Sequence, residues 1–106
     1  MTTPLSRHSR NYTPAFLAFL AHPDEATLHA AYELGRAALA DDVSLLDLIR
    51  THHAVLADVL LAGIDPQDLP TVLNAAAGFL VEAMAPFEMA RRSFLERTST
   101  PDRPAG

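Results

Sequence analysis

The chain has 106 residues, 49% of them hydrophobic and 20% charged, with a formal net charge of −5. That length holds one small core and not two, and so much apolar material excludes a globally disordered chain. The lack of cysteine excludes disulfides, thiolate metal sites and cysteine nucleophiles, and 13 Asp plus Glu against 8 basic residues argues against a nucleic-acid partner.

Ala and Leu dominate while β-branched residues are sparse, so local propensity favours helix. Residues 1–11 are polar and unpatterned and are expected to form a flexible N-terminal segment. Tyr12-Thr13-Pro14 opens the first helix, with Thr13 as N-cap and Pro14 at the first helical position, and this helix runs to about Ala21. The second starts near His22-Pro23-Asp24 and ends near Asp41-Asp42. Leu28, Ala31, Tyr32, Gly35, Ala38 and Leu39 share one of its faces, while Glu25, His29, Glu33 and Arg36 line a polar edge. Glycine inside a helix costs about 1 kcal/mol relative to alanine, so Gly35 on the apolar face points to close approach by another helix.

Ser44-Leu45-Leu46-Asp47 has the spacing of a capping box, with Asp as the reciprocating residue, and starts a third helix at Leu45 that Gly63 ends. Leu45, Leu48, Ile49, Leu56, Val59 and Leu60 form its apolar face, with His52 near the middle and His53 at the edge. The last helix starts with Asp65-Pro66 or after Pro70 and continues through Arg97. Val72, Ala76, Phe79, Leu80, Ala83, Phe87, Ala90 and Phe94 make a continuous stripe along it, the strongest periodic signal in the chain. Pro86 removes the bond from its own nitrogen to the Glu82 carbonyl and is expected to bend or break this helix. Residues 99–106, with Pro101 and Pro104, are expected to be a flexible tail.

The fold class is therefore all-α, with four or five helices and a long, Pro-bent C-terminal helix. Leu73, Ala77 and Met84 widen the apolar circumference of that helix beyond what one short neighbour covers, which points to a helical homodimer. Neither a signal-peptide pattern nor an uninterrupted apolar run of membrane-spanning length is present, so a cytoplasmic protein without a membrane partner is expected.

Little in the sequence points to catalysis. His52 and His53 diverge by about 100° on a helix, so even with His29, Glu33 or Glu82 they make a poor metal set, and no cofactor is expected. Asp24-Glu25 and Asp41-Asp42 sit at helix boundaries, and Ser44 is a cap before it is a nucleophile. Arg91 lies on the flank of the apolar stripe, with Glu88, Arg92 and Glu96 opposite. It reads as an interface anchor or as an ordinary snorkelling side chain, and Glu88 is in reach for local ion pairing.

Two segments carry more information than composition explains. Ala31-Tyr32-Glu33-Leu34-Gly35-Arg36-Ala37-Ala38-Leu39 and Phe79-Leu80-Val81-Glu82-Ala83-Met84-Ala85-Pro86-Phe87-Glu88-Met89 resemble the paired motifs of the N-terminal regulatory domain of RsbU-type serine/threonine phosphatases. His52-His53 falls between them in the expected order. The resemblance runs from about Tyr12 to about Glu96, and the domain is placed at residues 12–98. It implies an all-helical domain that dimerises and docks partners in the partner-switching control of an alternative sigma factor. In that scheme a switch kinase binds the N-terminal domain and stimulates a separate metal-dependent phosphatase domain. No such catalytic domain is present in this sequence, so the resemblance implies a regulator that is not itself an enzyme. Arg92-Ser93-Phe94 stands where members commonly have Arg-Gly-Phe, which removes a glycine that would permit close backbone approach.

The interface or docking residues that follow are Tyr32, Gly35, Arg36, His52, His53, Phe79, Glu82, Pro86, Phe87, Glu88, Arg91 and Phe94. The second and fourth helices are expected to form the dimer core, and Gly35→Leu to weaken the assembly by overpacking. An alternative reading is a helical dimer that senses a ligand in an apolar cavity near His52 and Arg91.

Overall fold

Thr3 caps the first helix: its hydroxyl accepts from the Ser6 amide at 3.0 Å, and Pro4 lies in the first turn. In the computed structural model, which describes residues 3–99, four helices follow one another: α1 (Pro4–Ala21), α2 (Glu25–Ala40), α3 (Leu45–Leu61) and α4 (Leu69–Ser99). The described residues contain no strand. Two Thr-Pro pairs compete to start α1, and the earlier one wins. Residues 4–11, expected to be flexible, are helical, and Pro14 lies inside α1 rather than at its start. Pro14 and Arg10 are both exposed, so the carbonyl that Pro14 leaves without its helical donor faces water. His8, Tyr12, Phe16 and Phe19 are the buried residues of α1, and this face anchors the helix in the bundle. Residues 100–106, most of the expected tail, lie outside the described residues.

The other boundaries follow local chemistry. Asp24 and Thr27 form a reciprocal cap, the Asp24 carboxylate accepting from the Thr27 amide at 2.9 Å and the Thr27 hydroxyl accepting from the Asp24 amide at 3.0 Å. The Thr27 amide, and a further bond that the Thr27 hydroxyl donates to the same carboxylate at 3.1 Å, hold the Asp24 carboxyl below the usual carboxylate range. At the end of α2, Asp42 adopts a left-handed φ of 62°, and the Val43 amide reaches back to the Ala38 carbonyl at 2.8 Å. Ser44 caps α3 by accepting from the Asp47 amide at 3.0 Å. Only this half of the expected capping box is formed, since the Asp47 carboxylate turns to Arg50 at 3.7 Å. Gly63, at a φ of 106°, follows the end of α3 as predicted.

Packing is dominated by α2 against α4, with α1 laid across α2, α3 and α4. A Cβ placed on Gly35 would collide with the Ala83 carbonyl oxygen, and would lie 2.9 Å from its carbon and 3.2 Å from Pro86 Cδ. Gly35 thus lets the two helices meet backbone to backbone inside one chain, which relocates a contact expected between chains. Pro86 is buried in that contact, and α4 continues through it unbroken from Leu69 to Ser99. Phe79 is the hub of the core, fully buried, with ring centroids 5.4, 5.3 and 5.6 Å from Tyr12, Phe16 and Phe19. The tilted and edge-to-face pairs each add about 0.5–1.5 kcal/mol to the gain from burial. Leu48 of α3 completes the fully buried large side chains.

The glycines of this bundle provide a matched comparison. Gly35→Ala is expected to lower the unfolding free energy by about 1–3 kcal/mol through overpacking. Gly78→Ala, where an added Cβ meets nothing within 4 Å, is expected to raise it by about 0.5–1 kcal/mol. Urea unfolding of both variants against the parent protein checks the pair.

Candidate functional site

The face of α4 turned away from Gly35 carries an open apolar groove of about 500 Å³, lined by Leu45, Val81, Met84, Ala85, Phe87, Glu88 and Arg91. Leu45 comes from the first turn of α3, and all the other residues come from about three turns of α4. Val81 is 67% exposed, and Leu73 and Leu95 continue the same side of the helix in both directions as exposed apolar residues. Charge enters at one end only. Arg91 donates to Glu88 at 3.3 Å, and Arg92 lies 3.6 Å from the same carboxylate. Both arginines and Glu88 are more than half exposed, so these ion pairs contribute little to stability and leave their charges accessible.

Of the predicted docking residues, Phe87, Glu88 and Arg91 come together at this groove. Glu88 thus lies beside Arg91 rather than on the opposite face. Phe94, 56% exposed, sits two turns beyond Phe87 on a part of the stripe that no described helix covers. Tyr32 reaches α4 on its other side, its hydroxyl donating to Met89 Sδ at 3.7 Å, and Arg36 pairs with Glu33 at 3.2 Å. Glu82 lines a shallow cleft with Glu25, Leu28 and His29, and His53 is exposed. Ser93 is exposed and accepts from Arg97 at 3.0 Å, so its side chain stays on its own helix.

Gly35, His52, Phe79 and Pro86 leave the set of docking residues, because each is buried in the chain's own core. His52 is 6% exposed, and its Nδ1 lies 2.7 Å from the Tyr12 hydroxyl. Burial pushes the Tyr12 phenol pKa up and so keeps its proton, and the imidazole tautomer sets which of the two groups donates. Burial, with the neighbouring His53 adding to it, also pushes the His52 imidazole below its ordinary value. His52 does not line the groove beside Arg91. Among the described residues no three His, Asp or Glu side chains are grouped as metal ligands.

Val81 and Ala85 were absent from the predicted site. Their signal is the spacing Ala77, Val81, Ala85, a second apolar row beside the stripe that packs in the core. Among the described helices, α4 is long and apolar enough over Leu69–Thr98 to cross a membrane by length and composition, yet only 22% of its most apolar stretch is buried. This helix therefore presents far more apolar surface than the bundle covers.

Residues 10–90 match the family model for the N-terminal domain of the phosphoserine phosphatase RsbU. The chain belongs to this RsbU N-terminal domain family. No curated protein and no solved structure matches it. Membership places the domain in a regulatory role in RsbU-type phosphatase signalling, as the N-terminal part of such phosphatases and not their catalytic domain. The structure also explains why two distant motifs mark an RsbU N-terminal domain. The segment around Gly35 and the segment around Ala83 and Pro86 are the two sides of one helix contact, and Tyr32 and Met89 close it at one end.

The Tyr12–His52 bond gives a direct test of the core that supports this surface. Tyr12→Phe leaves a buried imidazole nitrogen without its partner and is expected to cost about 1–3 kcal/mol, read as a lowered midpoint in chemical unfolding.

Proposed function

We propose that this RsbU N-terminal domain is a non-enzymatic module for dimerisation and partner docking in the cytoplasm. Its setting is the phosphatase and switch-kinase circuit that controls an alternative sigma factor. The observation that carries the proposal is the exposed apolar face of α4. Leu73, Ala77, Val81, Met84, Glu88, Arg91 and Leu95 recur at spacings of three and four residues, the pattern of a helix that packs along another helix. Contiguous exposed apolar surface rimmed by charge is characteristic of a protein interaction site.

A protein suits this face better than a lipid. Glu88 and Arg91 interrupt the strip, and a bilayer would have to bury both charges with no gain in specificity. Across a protein interface the same two charges fix register and orientation. A second copy of the chain uses the apolar length of the strip, and a switch kinase reads the polar end. The domain contributes no chemistry of its own in this reading. Its influence on a catalytic domain is limited by the difference in partner affinity between alternative helix arrangements.

Size-exclusion chromatography with light scattering, over a wide concentration range, tests the dimer. The parent protein is expected near twice the 11.5 kDa chain mass. Val81→Arg, at a position already exposed to water, is expected to leave thermal stability at low concentration within about 0.5 kcal/mol and to shift the mass to that of a monomer. A folded monomer at every concentration in the parent protein would contradict the dimer reading.

A further inference from the structure

The second buried histidine has no part in the docking surface. His8, one turn before Tyr12 on α1, is only 5% exposed, and its Nε2 is buried without a hydrogen-bond partner. Its ring centroid lies 5.5 Å from that of Tyr12, whose ring in turn lies 5.8 Å from His52 of α3. Phe16 and Phe79 close the apolar side of the group, Phe16 at 5.5 Å from His52 and Phe79 at 5.4 Å from Tyr12. The Tyr12 ring bridges the two imidazoles, meeting His52 across the seam between α1 and α3, while His8 also lines a small pocket against Leu34, Ala37 and Ala38 of α2. Among the described residues, the hydrogen bonds that join α1 to α3 are the Tyr12–His52 bond and the long Ser9–Thr51 hydroxyl contact of 3.5 Å.

We propose that His8, Tyr12 and His52 form a proton-sensitive latch, in which protonation of the two imidazoles in mild acid releases residues 4–12 of α1 from α2 and α3. A charge on His8 Nε2 would be buried without a partner, and a charge on His52 would be buried against the rings of Tyr12 and Phe16. Once α1 lifts, both rings reach water and take up protons at their ordinary affinity.

The surrounding charges modulate the latch without cancelling it. Asp47 of α3 faces His8 and favours its charged form, but burial outweighs it and holds the His8 imidazole below its ordinary value. That carboxylate is also engaged by Arg50 at 3.7 Å. His53 disfavours a charge on His52, in the same direction as burial. On the α2 side of His8, Arg7 and Asp41 pair with each other at 3.6 Å, while Leu34 and Ala38 offer no polar group. From α4 the neighbour is the apolar Phe79.

The sign follows from proton linkage. The released state binds more protons than the docked state once the pH falls below the ordinary imidazole value of about 6.5. Docking is therefore complete above that value and weakens as the pH falls through it. The released fraction rises by as much as tenfold per pH unit for each histidine that stays neutral when docked.

Hydrogen exchange of the full chain at about pH 7.5 and about pH 5.5, corrected for intrinsic amide rates, tests the latch. Protection over residues 4–12 is expected to drop by more than tenfold at the lower pH, while the α2–α4 contact around Gly35 keeps its protection. In His8→Phe, which keeps an aromatic ring and removes one titrating group, the drop is expected to shrink to tenfold or less per pH unit. Unchanged protection of residues 4–12 in the parent protein, or the full drop persisting in a folded His8→Phe, would overturn the proposal. Should that variant fail to fold, an NMR titration of the parent protein decides. His8 and His52 titrating below the ordinary imidazole value support the latch, and both titrating at that value overturn it.

Discussion

The contact of Gly35 with Ala83 and Pro86 is the constraint on which the rest of the domain depends. Without a side chain at Gly35, α2 comes close enough for its backbone to meet that of α4, and the Pro86 ring fills the space beside it. This explains how a proline is accommodated in the middle of a 31-residue helix. The ring that removes one backbone hydrogen bond is itself buried against a neighbouring helix, so part of the cost is offset by packing. Because the contact fixes the rotation of α4, it also decides which face of that helix remains outside. The apolar strip from Leu73 to Leu95 is exposed as a direct consequence.

The rest of the core secures this pair from the side. Phe79 projects from α4 into the aromatic row of α1, and His52 of α3 joins that row through Tyr12. Stability thus rests on rings contributed by three helices around one phenylalanine. The arrangement divides the labour within the chain: α2 positions α4, while α1 and α3 clasp each other across a seam that contains buried imidazoles. Protein docking and a response to protons can then reside in different parts of a domain this small.

Much of the fold was legible because its boundaries have local causes. Asp24, Ser44 and Gly63 act at helix ends through their own side chains or backbone freedom, and a sequence displays such features directly. Gly35 signalled a close approach for the right reason, but periodicity cannot tell whether the approaching helix belongs to the same chain. The start of α1 was misread because Thr3-Pro4 and Thr13-Pro14 carry the same signature. Only the burial of His8 in line with Tyr12, Phe16 and Phe19 separates them. The site was less legible than the fold. One stripe was visible on α4, and the second row through Val81 and Ala85 was hidden by the polar pair at Glu88 and Arg91. Gly35, His52, Phe79 and Pro86 looked like interface residues because a buried face has the same composition whether it meets its own chain or another.

The central claim is that the α2 contact is permanent while the opposite face of α4 is covered by a second copy. Methionine provides a reporter on each side: Met84 lines the groove, and Met89 meets Tyr32 of α2. Methyl-labelled methionine NMR over a range of protein concentration measures both in one sample. The account predicts that the Met84 signal shifts with concentration while the Met89 signal stays in place. A Met84 signal that stays fixed at every concentration, or a Met89 signal that moves with it, would contradict the account.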